Sequence, residues 1–270
     1  MDRYRLKNII VLILVLVNAF LMASLVVRKN SEYNARKLAV TQLVEVFAAD
    51  EITLSPDAIS NDTPPSSRML TRDTALDREV AAFFLGTDLS FSDQGGDIYT
   101  YSSSRGAAIF RENGSFDAAG TLSTEDAADF CRKFCKKFSY SEPIFQLEDD
   151  GSETATVVRN YNHLPVFNCT VTFTFRSGIL VNVSGTLLSE NYTELTSEEA
   201  PLSSSAALIA FLDARRQTFA AVSAITELYL CYELQSTTAS SMMTLAPAWC
   251  IVTDTAKYYV NCSTGAVTSA

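Results

Sequence analysis

Histidine is nearly absent from this chain: His163 is the single one in 270 residues. Imidazole is the usual proton carrier of hydrolytic triads and the commonest zinc ligand. The six cysteines (131, 135, 169, 231, 250 and 262) include no C-x-x-C pair and no Cys/His cluster, which excludes structural zinc of the usual spacing. No G-x-S-x-G elbow presents a serine nucleophile, and no glycine-rich loop leads into a helix to cradle phosphate. His163 falls in the turn Asn162-His163-Leu164-Pro165 between two strand-like runs and reads as a turn residue. Paired acids occur at Asp149-Asp150 and Glu198-Glu199; Glu148-Asp149-Asp150-Gly151 lacks the alternating ligand spacing of a calcium loop and reads as a solvated hairpin tip. The expectation is a chain that is not an enzyme and carries no cofactor and no metal.

Basic residues are scarce beyond the first 37 positions. Seven of the 21 Lys/Arg and only two of the 31 Asp/Glu lie in 1–37, which leaves 14 and 29 and a net charge of −15 for the rest. A region that acidic does not bind nucleic acid by neutralising phosphates. With 47% apolar and 10% aromatic residues it can bury a real core. The cysteines alternate with core positions: Cys131 and Cys135 share a helix face with Phe134 and Phe138, and Cys169 alternates with Phe167, Val171 and Phe173. They read as buried free thiols.

What the chain has in abundance is an apolar run near its start. Residues 1–8 are short and basic (Arg3, Arg5, Lys7), residues 9–27 are almost wholly apolar, and Arg28 and Lys29 follow. At ~1.5 Å per residue, such a run makes a helix just long enough to cross a bilayer. It exceeds the apolar core of a cleaved signal peptide, and a cut after Ala23 would put Leu21 where a small residue is needed. The reading is an uncleaved single-pass anchor in the cell membrane, N-terminus cytoplasmic and bulk extracytoplasmic. Asn18 places an amide in hydrocarbon, where it needs a partner. Ala19 and Ala23 form a small-xxx-small pair beside it that lets another helix approach. Asn18, Ala19, Met22 and Ala23 are the candidate partner-contact residues.

Beyond the anchor, Val40, Leu43, Val44 and Phe47 continue a helix at i, i+3, i+4 and i+7. A polar loop with Pro64-Pro65 follows. Leu76, Val80, Phe83 and Phe84 mark a second helix ended by Gly86. Three strand-like runs lead to Asn113-Gly114, read as a type I′ hairpin turn. Ser123-x-x-Asp126 reads as a capping box for a helix with the stripe Ala127, Phe130, Cys131, Phe134 and Phe138. Four alternating segments fill 144–189. After a Ser/Glu/Pro stretch a helix (Leu208, Phe211, Leu212, Arg215, Phe219) and three strands follow. Cys169-x-Val171-Thr172 and Cys250-x-Val252-Thr253, like Phe130 and Phe211, lie 81 residues apart. This reads as a duplication. The fold class is α+β: a single N-terminal transmembrane helix followed by repeated helix-on-antiparallel-sheet subdomains. The regions are 1–8 (basic segment), 9–27 (anchor), 28–118 (juxtamembrane helix and first α+β region), 119–196 (repeat 1) and 197–270 (repeat 2).

The opening Met1-Asp2-Arg3-Tyr4-Arg5-Leu6-Lys7-Asn8-Ile9-Ile10, one span with Asn18 in it, and Ala248-Trp249-Cys250-Ile251-Val252 near the end resemble the YycH/YycI regulators of Gram-positive bacteria. Arg3 stands where that family commonly has an aromatic residue. The resemblance implies a non-enzymatic accessory protein of a two-component system, with an external α+β head, that adjusts a sensor histidine kinase (or pairs with a paralogous regulator) through its membrane helix. A second expectation is an envelope binding or assembly module, resembling PepSY-type domains, that acts through its head.

Overall fold

The first helix, α1 (Arg3–Ala49), is continuous over 47 residues, about 70 Å at 1.5 Å per residue. The computed structural model describes residues 3–195, 200–218, 221–236 and 243–269; side chains at 3–12, 19, 23, 26, 30–33 and 36 lie outside the described ones. Among the described residues no helix is long and apolar enough to cross a membrane. Seven side chains of the run 9–27 (9–12, 19, 23 and 26) are not among those described.

After α1 come β1 (Thr53–Leu54), a short 3-10 turn and β2 (Arg68–Leu70). A helix followed by a four-stranded antiparallel meander then occurs three times. The first is α2 (Thr74–Leu85) with β3 (Ser90–Asp93), β4 (Tyr99–Ser103), β5 (Gly106–Phe110) and β6 (Ser115–Ser123). The second is α3 (Ala127–Phe138) with β7 (Ile144–Leu147), β8 (Glu153–Tyr161), β9 (Leu164–Arg176) and β10 (Ile179–Thr186). After β11 (Tyr192–Glu194), the third is α4 (Ser204–Thr218) with β12 (Ala224–Ser236), β13 (Met243–Thr253), β14 (Lys257–Asn261) and β15 (Val267–Ser269). The class is α+β, and the strands form one large sheet.

Local chemistry explains the boundaries. Asp73 caps α2 by accepting from the amides of Ala75 (2.9 Å) and Leu76 (3.3 Å), and Gly86 ends it at φ 88°. α3 is capped by Asp126, which accepts from Asp129 N at 3.1 Å. The cap therefore sits three residues later than the expected Ser123, whose hydroxyl instead accepts from Glu125 N within the preceding turn. Asn113-Gly114 is not a type I′ turn: Gly114 has φ 75° but Asn113 is not left-handed, and Gly114 N donates to Arg111 O (3.0 Å). That is a type I turn closed by a left-handed glycine. Asn162 (φ 48°) and His163 (φ 66°) are both left-handed, and make the two-residue turn between β8 and β9.

The first two meanders join through their last strands. β6 pairs with β10, giving an eight-stranded antiparallel sheet in the order β3-β4-β5-β6-β10-β9-β8-β7. The boundary read at 118/119 falls inside β6. α2 and α3 bury their apolar faces together on this sheet, around Phe84, Phe134 and Phe173. Rings of Phe84 and Phe134 stack at 5.6 Å, and Phe134 meets Phe173 edge-on at 5.1 Å. The third meander builds a second core. It unites the end of α1 (Leu43, Phe47), β1, α4 (Phe211) and the strands (Trp249, Ile251, Val260). The two assemblies meet where β9 passes β12, through one parallel bridge, Tyr232 to Val166, the amide of Asn168, and a buried apolar cluster that includes Tyr161, Val166, Cys169, Tyr232 and Leu245. The Asn168 amide donates to Leu234 O (2.7 Å) and accepts from Leu234 N (2.8 Å), as a backbone partner would.

The C-x-V-T match does not mark equivalent positions. Cys169 lies in the third strand of its meander and Cys250 in the second strand of another. The helix-facing residues of β13 are Trp249 and Ile251, whereas Cys250 packs with Cys231, Ala248 and Tyr259 on the opposite face. An odd spacing inverts the faces of a strand. A bulge in β9 also separates Phe167 from Cys169: Cys169 packs with Val166 and Tyr232, while Phe167 stacks on Tyr259 at 3.6 Å. Phe219 and Glu198-Glu199 lie outside the described residues. All six cysteines are free and buried. Burial pushes the Cys131, Cys169 and Cys262 thiols up to about 12. A thiol reagent at pH 8 is therefore expected to find no fast-reacting thiol in the native protein and all six after denaturation. Rapid native labelling would show that these side chains are accessible.

Candidate functional site at the helix-to-head junction

Three turns at the end of α1 hold the head. Phe47 is fully buried and Leu43 nearly so, with Val40 and Val44 partly covered. The stop signal is a Schellman motif. Ile52 N donates to Phe47 O (3.0 Å), Glu51 N donates to Ala48 O (3.1 Å), and Glu51 takes the left-handed position at φ 61°. The motif's hydrophobic contact is made by Phe47 and Ile52, which share one cluster. The chain then enters β1, parallel to β12.

Charges brace the same joint. Asp50, just past α1, accepts from Arg216 at both carboxylate oxygens (2.5 Å from Nη2, 3.2 Å from Nε). Arg215 donates to Asp50 O and Val222 O, each at 3.4 Å. The Arg216 hydrogen bond holds the Asp50 carboxyl below its ordinary 3.8. Its contribution is therefore present above the unfolded aspartate range and is lost as pH falls through the depressed value. The two arginines, in the last turn of α4, also face the negative end of α1's dipole.

Of the predicted contact residues, Asn18 and Met22 are exposed on α1, Met22 at 73%. The side chains of Ala19 and Ala23 lie outside the described ones, on helical backbone. Asn18 and Leu43 are 25 residues apart, as are Met22 and Phe47. At ~100° per residue, that spacing returns to within about 20° of the same face. The expected contact face and the docked face thus run along one side of α1, a relation that the 3.6-residue period makes readable from sequence.

The head carries open clefts that sequence reasoning missed. One of about 590 Å³ lies between α2 and the β3–β4 hairpin, lined by Thr74, Arg78, Phe91, Asp93, Tyr99 and Tyr101. Its rings are close: Phe91 lies 5.7 Å from Tyr99 and 5.3 Å from Tyr101. Behind it Arg72 packs 4.6 Å from the Tyr99 ring and grips buried Asp77 at 2.8 Å. Burial pushes the Asp77 carboxyl up, and the Arg72 hydrogen bond opposes this. Two further clefts, about 320 and 560 Å³, share Arg159 and Glu190. The buried Arg159 guanidinium donates to the Phe138 carbonyl and reaches exposed Glu190 at 3.1 Å. His163 lines the larger of the two from its turn. Asp150 is tied up locally, accepting from Ser152 N (2.9 Å) and its hydroxyl (2.5 Å). Among the described residues no group of three or more metal-ligating side chains converges.

No protein-family model matches the chain, and no curated protein matches it. Nine chains of solved structures match it, among them the following two. An uncharacterized protein from Eubacterium rectale is 12% identical, with a TM-score of 0.45, over 77% of this chain and 81% of that one. YycH from Bacillus subtilis is 11% identical, with a TM-score of 0.35, over 78% of this chain and 55% of YycH, so this chain matches about half of YycH's length.

Proposed function

We propose that this chain is a non-enzymatic, membrane-anchored regulator whose extracytoplasmic head adjusts a sensor histidine kinase through helix contact in the bilayer. The observation that carries the reading is the continuity of α1 from its apolar run into the head's core. A flexible linker would let the head move without turning the anchor. An unbroken helix clamped by Phe47, Ile52 and the Asp50–Arg216 pair transmits rotation and tilt. Residues 9–27 cross the membrane with the basic start in the cytoplasm. Asn18, Ala19, Met22 and Ala23 meet the kinase, or a paralogous regulator bound to it. An interhelical amide bond is worth about 0.6–2 kcal/mol, and close packing at the small pair adds to it.

Replacing Asn18 and Ala23 by leucine together is expected to abolish co-purification of a histidine kinase from detergent-solubilised membranes, with the anchor still inserted. Recovery of the kinase at the original yield would refute the contact. The clefts of the head favour a second reading, an envelope binding module acting through its exterior. Exchanging residues 9–27 for an unrelated span separates the two: the module keeps its function, and the kinase regulator loses it.

A further inference from the structure

β3 and β7 are the two outer edges of the eight-stranded sheet, each the first strand of its meander. They solve the same problem differently. An open edge is a row of unpaired backbone groups, and natural edges are blunted by charge, proline or cover. β3 reads Ser90-Phe91-Ser92-Asp93, one apolar residue and a charge. β7 reads Ile144-Phe145-Gln146-Leu147, three large apolar residues and no charge. All four β7 side chains are exposed, Ile144 at 70%, Phe145 at 37% and Leu147 at 75%. Among the described residues its only strand partner is β8. Such a strand has the chemistry of β-augmentation, in which backbone bonds supply affinity and alternate side chains supply selectivity.

Charge identifies the occupant. Glu142 precedes the strand, and Glu148 and Asp149 follow it. No basic residue pairs with these three among the described residues, whereas Asp150 lies 3.5 Å from Arg176. A second copy of this chain does not fit. Antiparallel self-pairing about Phe145, which keeps each residue on its own face across the two-fold, sets Glu142 opposite Glu148 of the other copy, twice, and like charges directly opposed destabilise a sheet. We propose that the open edge of β7 is a docking strand for an extended segment of another protein, apolar at alternate positions and basic at both ends. The segment adds beside Ile144–Leu147, and its terminal lysines or arginines meet Glu142 and Asp149. This site is independent of the helix contact proposed above.

The test uses the full chain in detergent and the fluorescein-labelled peptide Lys-Lys-Val-Thr-Ile-Thr-Val-Lys-Lys, read by anisotropy against detergent alone. The expected result is binding at least about tenfold tighter than that of the same peptide with Glu at every Lys position. N-methylation of alternate peptide amides should remove the binding, because backbone bonding carries it. Ile144→Lys with Leu147→Lys should weaken it at least about tenfold; both sites are more than two-thirds exposed, so the fold tolerates the change. Glu142→Lys with Asp149→Lys should reverse the preference between the two peptides. Equal binding of both peptides, binding indifferent to N-methylation, or no binding would overturn the proposal. So would self-association of the wild type lost in the Ile144/Leu147 variant, which would make a second copy the occupant.

Discussion

Phe47→Ala is expected to destabilise the α1–α4 core by about 3–5 kcal/mol, the usual cost of emptying a fully buried aromatic site. Against a typical domain stability of about 5–15 kcal/mol, that is a large share of the total. The residue is fully buried among Leu43, Ile52, Phe211 and Trp249. Its ring also makes the apolar contact with Ile52 that closes the helix stop, so truncating it loosens that stop while the backbone bond from Ile52 N to the residue-47 carbonyl stays available. Denaturant unfolding should register the loss, and hydrogen exchange should locate it at Ile52–Leu54 and along β12. The core under α2 and α3, which is a separate cluster, should keep its protection. Val46, on the preceding position of α1 and 45% exposed, is the control; Val46→Ala should stay within about 0.5 kcal/mol. Similar losses in the two variants would mean that α1 is not clamped at this joint.

The second prediction tests whether the joint transmits rotation. Two alanines inserted after Lys37 turn everything N-terminal of them by about 200° relative to the head; seven residues turn it by about 700°, within ~20° of the original face, while adding ~10 Å. If α1 acts as a rigid shaft, the two-residue insertion should change the autophosphorylation of the co-purifying kinase as strongly as removing the protein. The seven-residue insertion should leave it near the wild-type level. If α1 is only a tether, both insertions will be silent. Loss in both would point to length rather than phase.

Elements with strong local periodicity were legible in the chain. The stripe Phe130, Cys131, Phe134 and Phe138 lies buried on α3, and Val40, Leu43, Val44 and Phe47 face the head. Gly86 ends α2 as its left-handed chemistry requires. β2 and β11, three residues each, are too short to carry a period, so nothing announced their pairing. The turns exchanged roles for the same reason. Asn-Gly favours a left-handed pair, yet the carbonyl of Arg111 captured the Gly114 amide, while strand register forced Asn162 and His163 left-handed. The clefts were illegible because Arg78, Phe91 and Tyr101 come from three elements that share no sequence spacing. The open edge at β7 was hidden by its own apolarity: Ile144, Phe145 and Leu147 resemble core until the sheet order leaves them outside.

The core that receives Phe47 is completed by Trp249 and Val260, roughly 200 residues further along the chain. At about 5–20 residues per second, a ribosome needs some 10–40 s to deliver them. Throughout that interval the sticky side of the first helix has been made and its socket has not. The sheet under α2 and α3, whose last strand ends at residue 186, is expected to fold first, and the apolar face at the end of α1 stays uncovered until the last strands arrive.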